Sequence, residues 1–463
     1  MRKKIAETPG NVAPCAHKSA GGQDCRGIEP PGLATFGCAY EGAYFALAPV
    51  SDAVHLVHGP MTCLGSTWEF RHVGSSCAGL DKTQVGFTTD IGEMELVHGG
   101  EKKLAGAIDY AISKYQPQGV FVYETCVTAL IGDDMDSVCG AAERRWNIPV
   151  VPVHAPGFIG TKNYGERLGL EAVVNHIVGT KEPEFATPYD INLIGEHNIN
   201  GEMWMYKPIL QEIGVRILST FSGDGRIEKM RQAHRARLNV VVCAKSSLAI
   251  AEIMKKRWGI PYLSASFYGM REASDAIRRI CRQLGDAKLI KKAEQVIARE
   301  EAKVNKALEP YRELFAGRKA VLNTGGNKSW AFAVALQDIG IEVVGVSVRK
   351  SNEEDRAKLR NILGADAVLM EKPVVEQIPL IMRTGADLLL AGGRSLYSAL
   401  KKAIPFIEVS QEKTGNYCGY GGLINLARDI DLSINNPVFK LVSGDAPWEK
   451  KVMEPEQCLG RGA

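Results

Sequence analysis

Hydrophobic and polar residues follow two different patterns along this chain. Short runs rich in β-branched residues, such as VHLVH, GVFVYET and RLNVVV, have the composition of buried strands. Between them lie longer stretches with apolar residues at helical spacing, such as KLAGAIDYAISKY and SSLAIAEIMKKRW. The segment that directly follows VHLVH is predicted to be a loop. A series of strand, helix and strand predicts an α/β fold in which parallel sheets are covered by helices.

Two segments interrupt this alternation and divide the chain. EPEFATPYD carries two prolines before the next strand, and a long charged helix from Ala287 to Leu314 precedes RKAVLNTGG. A chain of 463 residues is also too long for one hydrophobic core. We therefore predict an N-terminal extension followed by three Rossmann-like domains, with bounds 1–30, 31–185, 186–316 and 317–463, the last including a C-terminal tail.

The composition excludes several classes of protein. The 56 basic and 53 acidic residues give a net charge of +3, which provides no field to attract nucleic acid. No apolar run approaches the ~20 residues of a membrane span. We therefore expect a cytoplasmic protein without nucleic-acid or membrane partners.

The cysteines are the first chemical signal. There are 11 of them, an odd number, and no secretion signal precedes them, which argues against a disulfide framework and for metal or redox use. The alternative for any one of them is a small buried hydrophobic residue.

Four cysteines occupy positions where reactive side chains collect in parallel sheets, beyond the carboxyl ends of strands. Cys63 follows VHLVHGPMT, Cys126 closes GVFVYET, Cys243 closes RLNVVV, and Cys38 lies in the glycine-flanked turn FGCAYEG. Their irregular spacing differs from zinc or small-ferredoxin patterns, so spacing alone is a weak signal. Because an iron–sulfur cluster usually takes four thiolates, the three in the first domain predict a cluster completed by a second subunit.

Several longer motifs carry a resemblance to a known family. VHLVHGPMTC, GFTTDIGE, TCVTALIGDD, GFIGTKN, GIPYLSASFYG and GGNKSW resemble, in the same order, the large-subunit branch of the nitrogenase component 1 family. The resemblance covers nearly the whole chain and implies that family's fold of three Rossmann-like domains.

The resemblance also implies cofactors and partners. Cys38, Cys63 and Cys126 match ligands of an interface iron–sulfur cluster, which is a P-cluster ([8Fe-7S]) or a [4Fe-4S] cluster. Cys243 matches the ligand at one end of a large iron–sulfur cofactor, of the [8Fe-9S-C] type or an iron–molybdenum cofactor precursor. The implied partners are a homologous second subunit of the NifN or NifK type in an α2β2 heterotetramer and an ATP-dependent, nitrogenase-reductase-like iron protein.

Some positions depart from the family's pattern. Dinitrogen-reducing members have a histidine ligand near the C-terminus, but no histidine follows His234 in this chain. They also have a catalytic histidine where this chain has Glu166, so we do not expect dinitrogen reduction. Assembly scaffolds of the branch usually carry Trp-Asp-Asn-Arg-Gly after the second cluster cysteine, whereas this chain has WEFRH after Cys63.

Cys418 in GNYCGYGG lies near the position where the resemblance places the second cofactor ligand. A thiolate there would substitute for the missing imidazole. The alternative, which is the more common case, is a structural cysteine.

The third domain contributes candidate cations. A large iron–sulfur cofactor is polyanionic and needs cationic or amide donors around it. Lys328, Arg349 and Arg394 each follow a predicted strand, so we predict that they form a cradle facing Cys243. For any one of them, a solvated surface charge is the alternative.

Two functions remain open from the sequence. The first, which we place slightly ahead, is the cofactor-bearing subunit of a nitrogenase-like reductase that takes electrons from an iron protein and cleaves the carbon–sulfur bonds of methylthio-alkanes. The altered segment after Cys63 and the thiol of Cys418 favour it. The alternative is a non-catalytic scaffold for biosynthesis of the iron–molybdenum cofactor, which the missing histidine favours because a scaffold must release its cargo.

Overall fold

The computed structural model describes residues 37–68, 70, 74–76, 85–242, 244–349, 351–364, 366–410 and 415–438. Cys243 and the predicted N-terminal extension lie outside the described residues. The strands are β1 Ala53–His58, β2 Phe87–Thr88, β3 Gly119–Glu124, β4 Val150–Val153, β5 Asp190–Ile194, β6 Arg216–Phe221, β7 Leu238–Val241, β8 Tyr262–Ser264, β9 Lys319–Asn323, β10 Glu342–Ser347, β11 Val368–Met370, β12 Leu388–Ala391 and β13 Phe406–Glu408.

Helices connect and cover these strands. They are α1 Ala39–Leu47, α2 Met61–Thr67, α3 Glu93–His98, α4 Glu101–Tyr115, α5 Cys126–Ile131, α6 Met135–Trp146, α7 Lys162–His176, α8 Glu202–Ile213, α9 Ile227–Arg231, α10 Ala244–Trp258, α11 Met270–Leu284, α12 Ala287–Leu314, α13 Asn327–Asp338, α14 Glu353–Leu363, α15 Pro373–Thr384, α16 Leu396–Leu400 and α17 Gly419–Ile434. Short 3₁₀ helices add Gly157–Ile159, Ala233–Arg235 and Gly393–Ser395.

The described strands form three parallel sheets, which confirms the predicted α/β fold. The strand orders are β2-β1-β3-β4, β6-β5-β7-β8 and β11-β10-β9-β12-β13. In each sheet the chain begins at an inner strand, builds to one side, and then crosses to the other side. The switch points therefore lie between β1 and β3, between β5 and β7, and between β9 and β12, where ligands bind in open parallel sheets.

Four of the inner strands are buried along their whole length, which explains their continuous hydrophobic runs. Every residue of β1, β5, β7 and β12 is buried, as expected for parallel strands covered by helices on both faces. Leu193 and Val240 of the second sheet share one core with Leu322 and Leu390 of the third. Other apolar residues of these two sheets belong to separate clusters. The predicted domain bounds stay predictions, although each sheet falls inside one predicted range.

The structure also refines two predicted elements. The long helix is present from Ala287 to Leu314, and the Asp286 carboxylate caps it by accepting from the amides of Lys288 and Leu289 at 2.7 and 2.9 Å. The prediction of a loop after β1 was wrong, because the helix α2 forms there. Of the helices described, none is both long and apolar enough to cross a membrane.

Candidate functional site

Two cysteines lie at the switch point of the first sheet. β1 and β3 run in parallel and end together at the pair His58 and Glu124. Cys63 lies in α2, five residues after β1, and Cys126 is the first residue of α5, directly after β3. The fold therefore brings together two thiols that are 63 residues apart in the sequence.

The third cysteine reaches the same place from another element. Cys38 is the N-cap of α1 and forms an isolated antiparallel bridge with Thr161. A Cβ built on Gly157 would lie 3.0 Å from the Cys126 sulfur and 3.1 Å from the Cys38 sulfur. Both sulfur atoms thus face one point, and only glycine leaves the space beside them open.

A close crossing of two helices sets the position of Cys38. A Cβ on Gly42 of α1 would overlap the carbonyl of Lys162, and one on Gly165 of α7 would overlap the carbonyl of Ala39. The Tyr40 phenol also donates to the Cys63 carbonyl oxygen at 3.0 Å. This hydrogen bond connects α1 to the residue of α2 that carries the second thiol.

The electrostatics of these thiols favour a positively charged ligand. Burial, together with the smaller effect of the neighbouring Cys126 and Cys38 thiols, raises the pKa of the Cys63 thiol to about 11. Burial also raises the pKa of the Cys38 thiol. Hydrogen bonds from the backbone amides of Glu41 and Tyr40 offset part of this rise. Because three adjacent thiolates would repel one another, deprotonation requires a compensating cation such as iron.

The three thiols are not arranged around a single ion. Among the described residues, no group of three His, Cys, Asp or Glu side chains is placed to hold one metal ion. A cluster of several iron and sulfide atoms spans a wider gap, since each thiolate binds a different iron atom. The donor set therefore suits a multi-iron cluster better than a mononuclear site.

A second cleft is expected at the switch point of the second sheet, between β5 and β7. β5 pairs with β7, with Ile194 opposite Val241, and the Val242 amide donates to the Ile194 carbonyl at 2.9 Å. His197 follows β5 by three residues, and its Nδ1 lies 2.9 Å from the hydroxyl of Ser222, which directly follows β6. Cys243 follows Val242 in the sequence.

The third sheet meets the second beside this cleft. The Asn327 side chain at the start of α13 donates to the carbonyl of Val242. The Lys328 ammonium lies 5.2 Å from the centre of the Tyr268 ring, and Tyr268 forms an isolated antiparallel bridge with Cys418. The turn that carries Lys328 is therefore in direct contact with the end of β7.

Comparisons with known proteins give consistent matches over most of the chain. The family model for nitrogenase component 1 type oxidoreductases matches residues 38–435. The NifE protein of Rippkaea orientalis, named for nitrogenase iron-molybdenum cofactor biosynthesis, is 48% identical over 94% of this chain and 93% of its own length. The NifE protein of Klebsiella pneumoniae is 41% identical over 94% of this chain and 97% of its own. The solved structure of nitrogenase Cp1 at pH 5 matches with a TM-score of 0.81 and 27% identity, covering 91% of this chain and 92% of that chain.

The chain belongs to the nitrogenase component 1 family. The family resemblance seen in the sequence motifs is thereby confirmed, and so is its likeness to the NifE branch. In this component 1 protein Glu166 is buried within α7, with 7% of its surface exposed.

The predicted cations of the component 1 chain lie at one edge of the third sheet. Lys328 lies in the first turn of α13 after β9, Arg349 follows β10 by two residues, and Arg394 follows β12 in a 3₁₀ helix. Lys328 and Arg349 are half-buried, whereas Arg394 is exposed. All three residues therefore lie at the carboxyl edge of the third sheet, as their positions after predicted strands led us to expect. Their role in binding stays a prediction.

Cys418 is fully buried at the N-cap of α17. The Gly419 amide donates to the Phe267 carbonyl at 2.6 Å, which holds this turn against the segment before α11. This location fits a structural cysteine, and a role as a cofactor ligand stays a prediction.

Sequence reasoning missed several residues that lie near the switch points of the first and second sheets. His197 follows a strand end in the same way as the cysteines, so the same rule would have found it. Gly157 and Lys162 both lie within the motif GFIGTKN. No local signal marked Tyr268, because its contacts come from the third sheet and α17.

Proposed function

We propose that this component 1 protein is an assembly scaffold, which holds an iron–sulfur precursor of the nitrogenase cofactor while it matures. The observation that carries the proposal is its identity of 41% to 48% with NifE proteins over nearly the full length of both chains. Those relatives are named for iron-molybdenum cofactor biosynthesis. The lack of any histidine after His234 supports a protein that releases its cargo, because one ligand fewer lowers the cost of release.

Cys38, Cys63 and Cys126 would hold the resident interface cluster. The sulfur atoms of Cys38 and Cys126 face the open side of Gly157. These two thiols are close enough to Cys63 to raise the pKa of its thiol, so the three together form a donor set that fits an iron–sulfur cluster. When bound, such a cluster supplies one-electron transfer. The chain itself would supply thiolates, exclude water through burial, and fix the positions of the sulfurs through α1 and α7.

The cargo would bind at the cleft of the second sheet. Cys243 would be its thiolate ligand, with Lys328, Arg349, Arg394 and Cys418 as further candidates around it. The contact of Asn327 with the carbonyl of Val242 supports this placement, because it brings the start of α13 next to the end of β7. A polyanionic cargo would gain from the cations of that turn.

A homologous second subunit would cover the three cysteines. Exposed apolar side chains lie close to these cysteines. Met61 in α2 is 54% exposed, Leu130 in α5 is 76% exposed, and Phe158, which follows Gly157, is 44% exposed. Apolar residues clustered around a site in this way are typical of a protein interface. We propose an α2β2 assembly with a NifN-like or NifK-like subunit, served by an ATP-dependent iron protein.

The reductase that we placed first from the sequence receives no support from these relatives. Cys418, which favoured an enzyme, is buried against Tyr268. The comparisons therefore favour the scaffold, which was the alternative.

An assay of cofactor transfer distinguishes the scaffold from the reductase. The purified complex with its second subunit is loaded with cofactor precursor and mixed with a cofactor-free dinitrogenase. We expect the dinitrogenase to become active, and we expect a Cys243→Ala complex to transfer little. Failure to transfer, together with reduction of methylthio-alkanes in the presence of the iron protein, would establish the reductase instead.

A further inference from the structure

We infer that Lys162 and His197 form a second recognition point for the cargo, on the side of the cleft that the first sheet and its helices provide. This inference rests on the proposed function and goes beyond the residues assigned above. It concerns an anionic iron–sulfur cluster, with or without attached carboxylate groups.

The first step is the position of His197. It emerges from β5 at the same edge of the sheet where Cys243 follows β7, and these two strands are hydrogen-bonded neighbours. The contact between its Nδ1 and the Ser222 hydroxyl at 2.9 Å fixes the orientation of the ring. The imidazole is thus held beside the strand end from which the cargo thiolate is expected to extend.

The second step is the position of the Lys162 ammonium. Lys162 begins α7, and its Nζ lies 4.1 Å from the centre of the Phe45 ring and 4.5 Å from that of Phe70. The His197 ring packs on the same Phe45 ring, with centroids 4.3 Å apart. The Phe45 ring therefore contacts both an ammonium group from the first domain and an imidazole from the second.

The surroundings make this cation effective. Phe45 is 5% exposed and Phe70 is 8% exposed, so the ammonium lies against low-polarity surface where its field is weakly screened. Cation–π attraction to two rings offsets part of the cost of removing it from water. The ammonium is thus placed to attract an anion that binds beside the Phe45 ring.

The chain offers a matched control. The Lys114 ammonium also lies over two rings, 5.0 Å from Tyr110 and 5.3 Å from Tyr115, but on the surface of α4. Lys114→Met therefore removes a comparable cation–π contact away from the cleft.

The test measures cargo binding directly. Complexes carrying Lys162→Met, Lys162→Arg, His197→Asn or Lys114→Met are titrated with extracted iron–molybdenum cofactor as the probe, and the Kd is read from its paramagnetic signal. Iron bound at the interface cluster and the thermal midpoint are recorded for each. We expect Lys162→Met to weaken binding about tenfold or more and to reduce its dependence on salt, with His197→Asn acting in the same direction. Lys162→Arg should retain most of the affinity, and Lys114→Met all of it.

The possible outcomes are distinct. If Lys162→Met and His197→Asn bind the probe as tightly as the unaltered complex while Cys243→Ala does not, this inference is wrong and the scaffold function stands. If the unaltered complex binds no probe, the proposed function itself fails. If Lys162→Met does not fold, the test rests on two other measurements: the Kd of the His197→Asn complex and the salt dependence of the Kd of the unaltered complex. A Kd of the unaltered complex that does not change with salt would overturn the inference.

Discussion

Gly165 of α7 lies against the carbonyl group of Ala39 in α1, so closely that a Cβ at position 165 would overlap it. Ala39 follows Cys38 directly, and Cys38 is the N-cap of α1. This backbone contact therefore positions one thiol of the candidate cluster site.

We expect Gly165→Ala to lower the free energy of unfolding by about 1–3 kcal/mol, because the new methyl group forces the two helices apart. The iron content of the interface cluster should fall with it, since Cys38 moves. Gly106→Ala in α4 is the control, because a Cβ there meets nothing within 4 Å and alanine favours a helix by roughly 0.5–1 kcal/mol over glycine. Urea unfolding and iron analysis of both variants check this, and equal stability of the two would contradict it.

Gly157→Ala should act on the cluster rather than on the fold. Its methyl group would lie within 3.1 Å of the sulfurs of Cys38 and Cys126, in the space where the cluster is expected. We expect less interface iron and an altered paramagnetic spectrum, with a nearly unchanged thermal midpoint. Gly140→Ala on α6, whose Cβ would meet only the end of the Arg144 side chain at 3.4 Å, serves as the control. Full iron occupancy in the Gly157 variant would mean that the cluster does not use this space.

The two cysteine sites should be separable. Cys63→Ala should lose the interface cluster and keep the cargo, whereas Cys243→Ala should keep the interface cluster and lose the cargo. The reason is that the two residues follow strands of different sheets. Iron content and paramagnetic spectra of the two variants measure this. Equal loss of both signals in either variant would show that our assignment of ligands is wrong.

His154 should make stability depend on pH on the alkaline side. Hydrogen bonds to Glu124 and Asp136 raise its pKa to about 9, above its usual value near 6.5. The folded state binds this proton more tightly than the unfolded state, so the stabilisation is fully present below about pH 6.5 and is lost as the pH rises through about 9.

The measurement is urea unfolding of the metal-free protein at intervals from about pH 6 to about pH 10. We expect stability to fall over this range, and His154→Gln to flatten that part of the profile. His176→Gln, which changes an exposed histidine at the end of α7, should leave the profile unaltered. A profile for His154→Gln that is identical to that of the unaltered protein would refute the assignment.

Much of the fold was readable from local patterns. The strands β3 and β7 lie within the hydrophobic runs that predicted them, β1 begins one residue before its run, and α12 has the predicted bounds. The loop predicted after β1 proved to be α2, because its sequence MTCLGST has no strong hydrophobic period. Burial of Cys418 was not readable, since it depends on contacts with Tyr268 from elsewhere in the chain.

The candidate site divides in the same way. The rule that reactive side chains follow buried strands found Cys63 and Cys126, because a strand end is a property of a few adjacent residues. It also placed Lys328, Arg349 and Arg394 at one edge of a sheet. It did not identify Gly157 or Lys162, whose importance comes from the thiols and rings that other elements bring to them.

By itself, then, the sequence determined the class of fold, the family, and the strand ends at which the chemistry is expected, because hydrophobic periodicity and motifs are local. Only the tertiary structure decided that Cys38 and Cys126 face the same glycine, that Asn327 bonds the carbonyl of Val242, and that Lys162 and His197 share one aromatic ring. These contacts join residues far apart in the chain. They depend on which strands are neighbours and how helices cross, and these are set by the packing of the whole core.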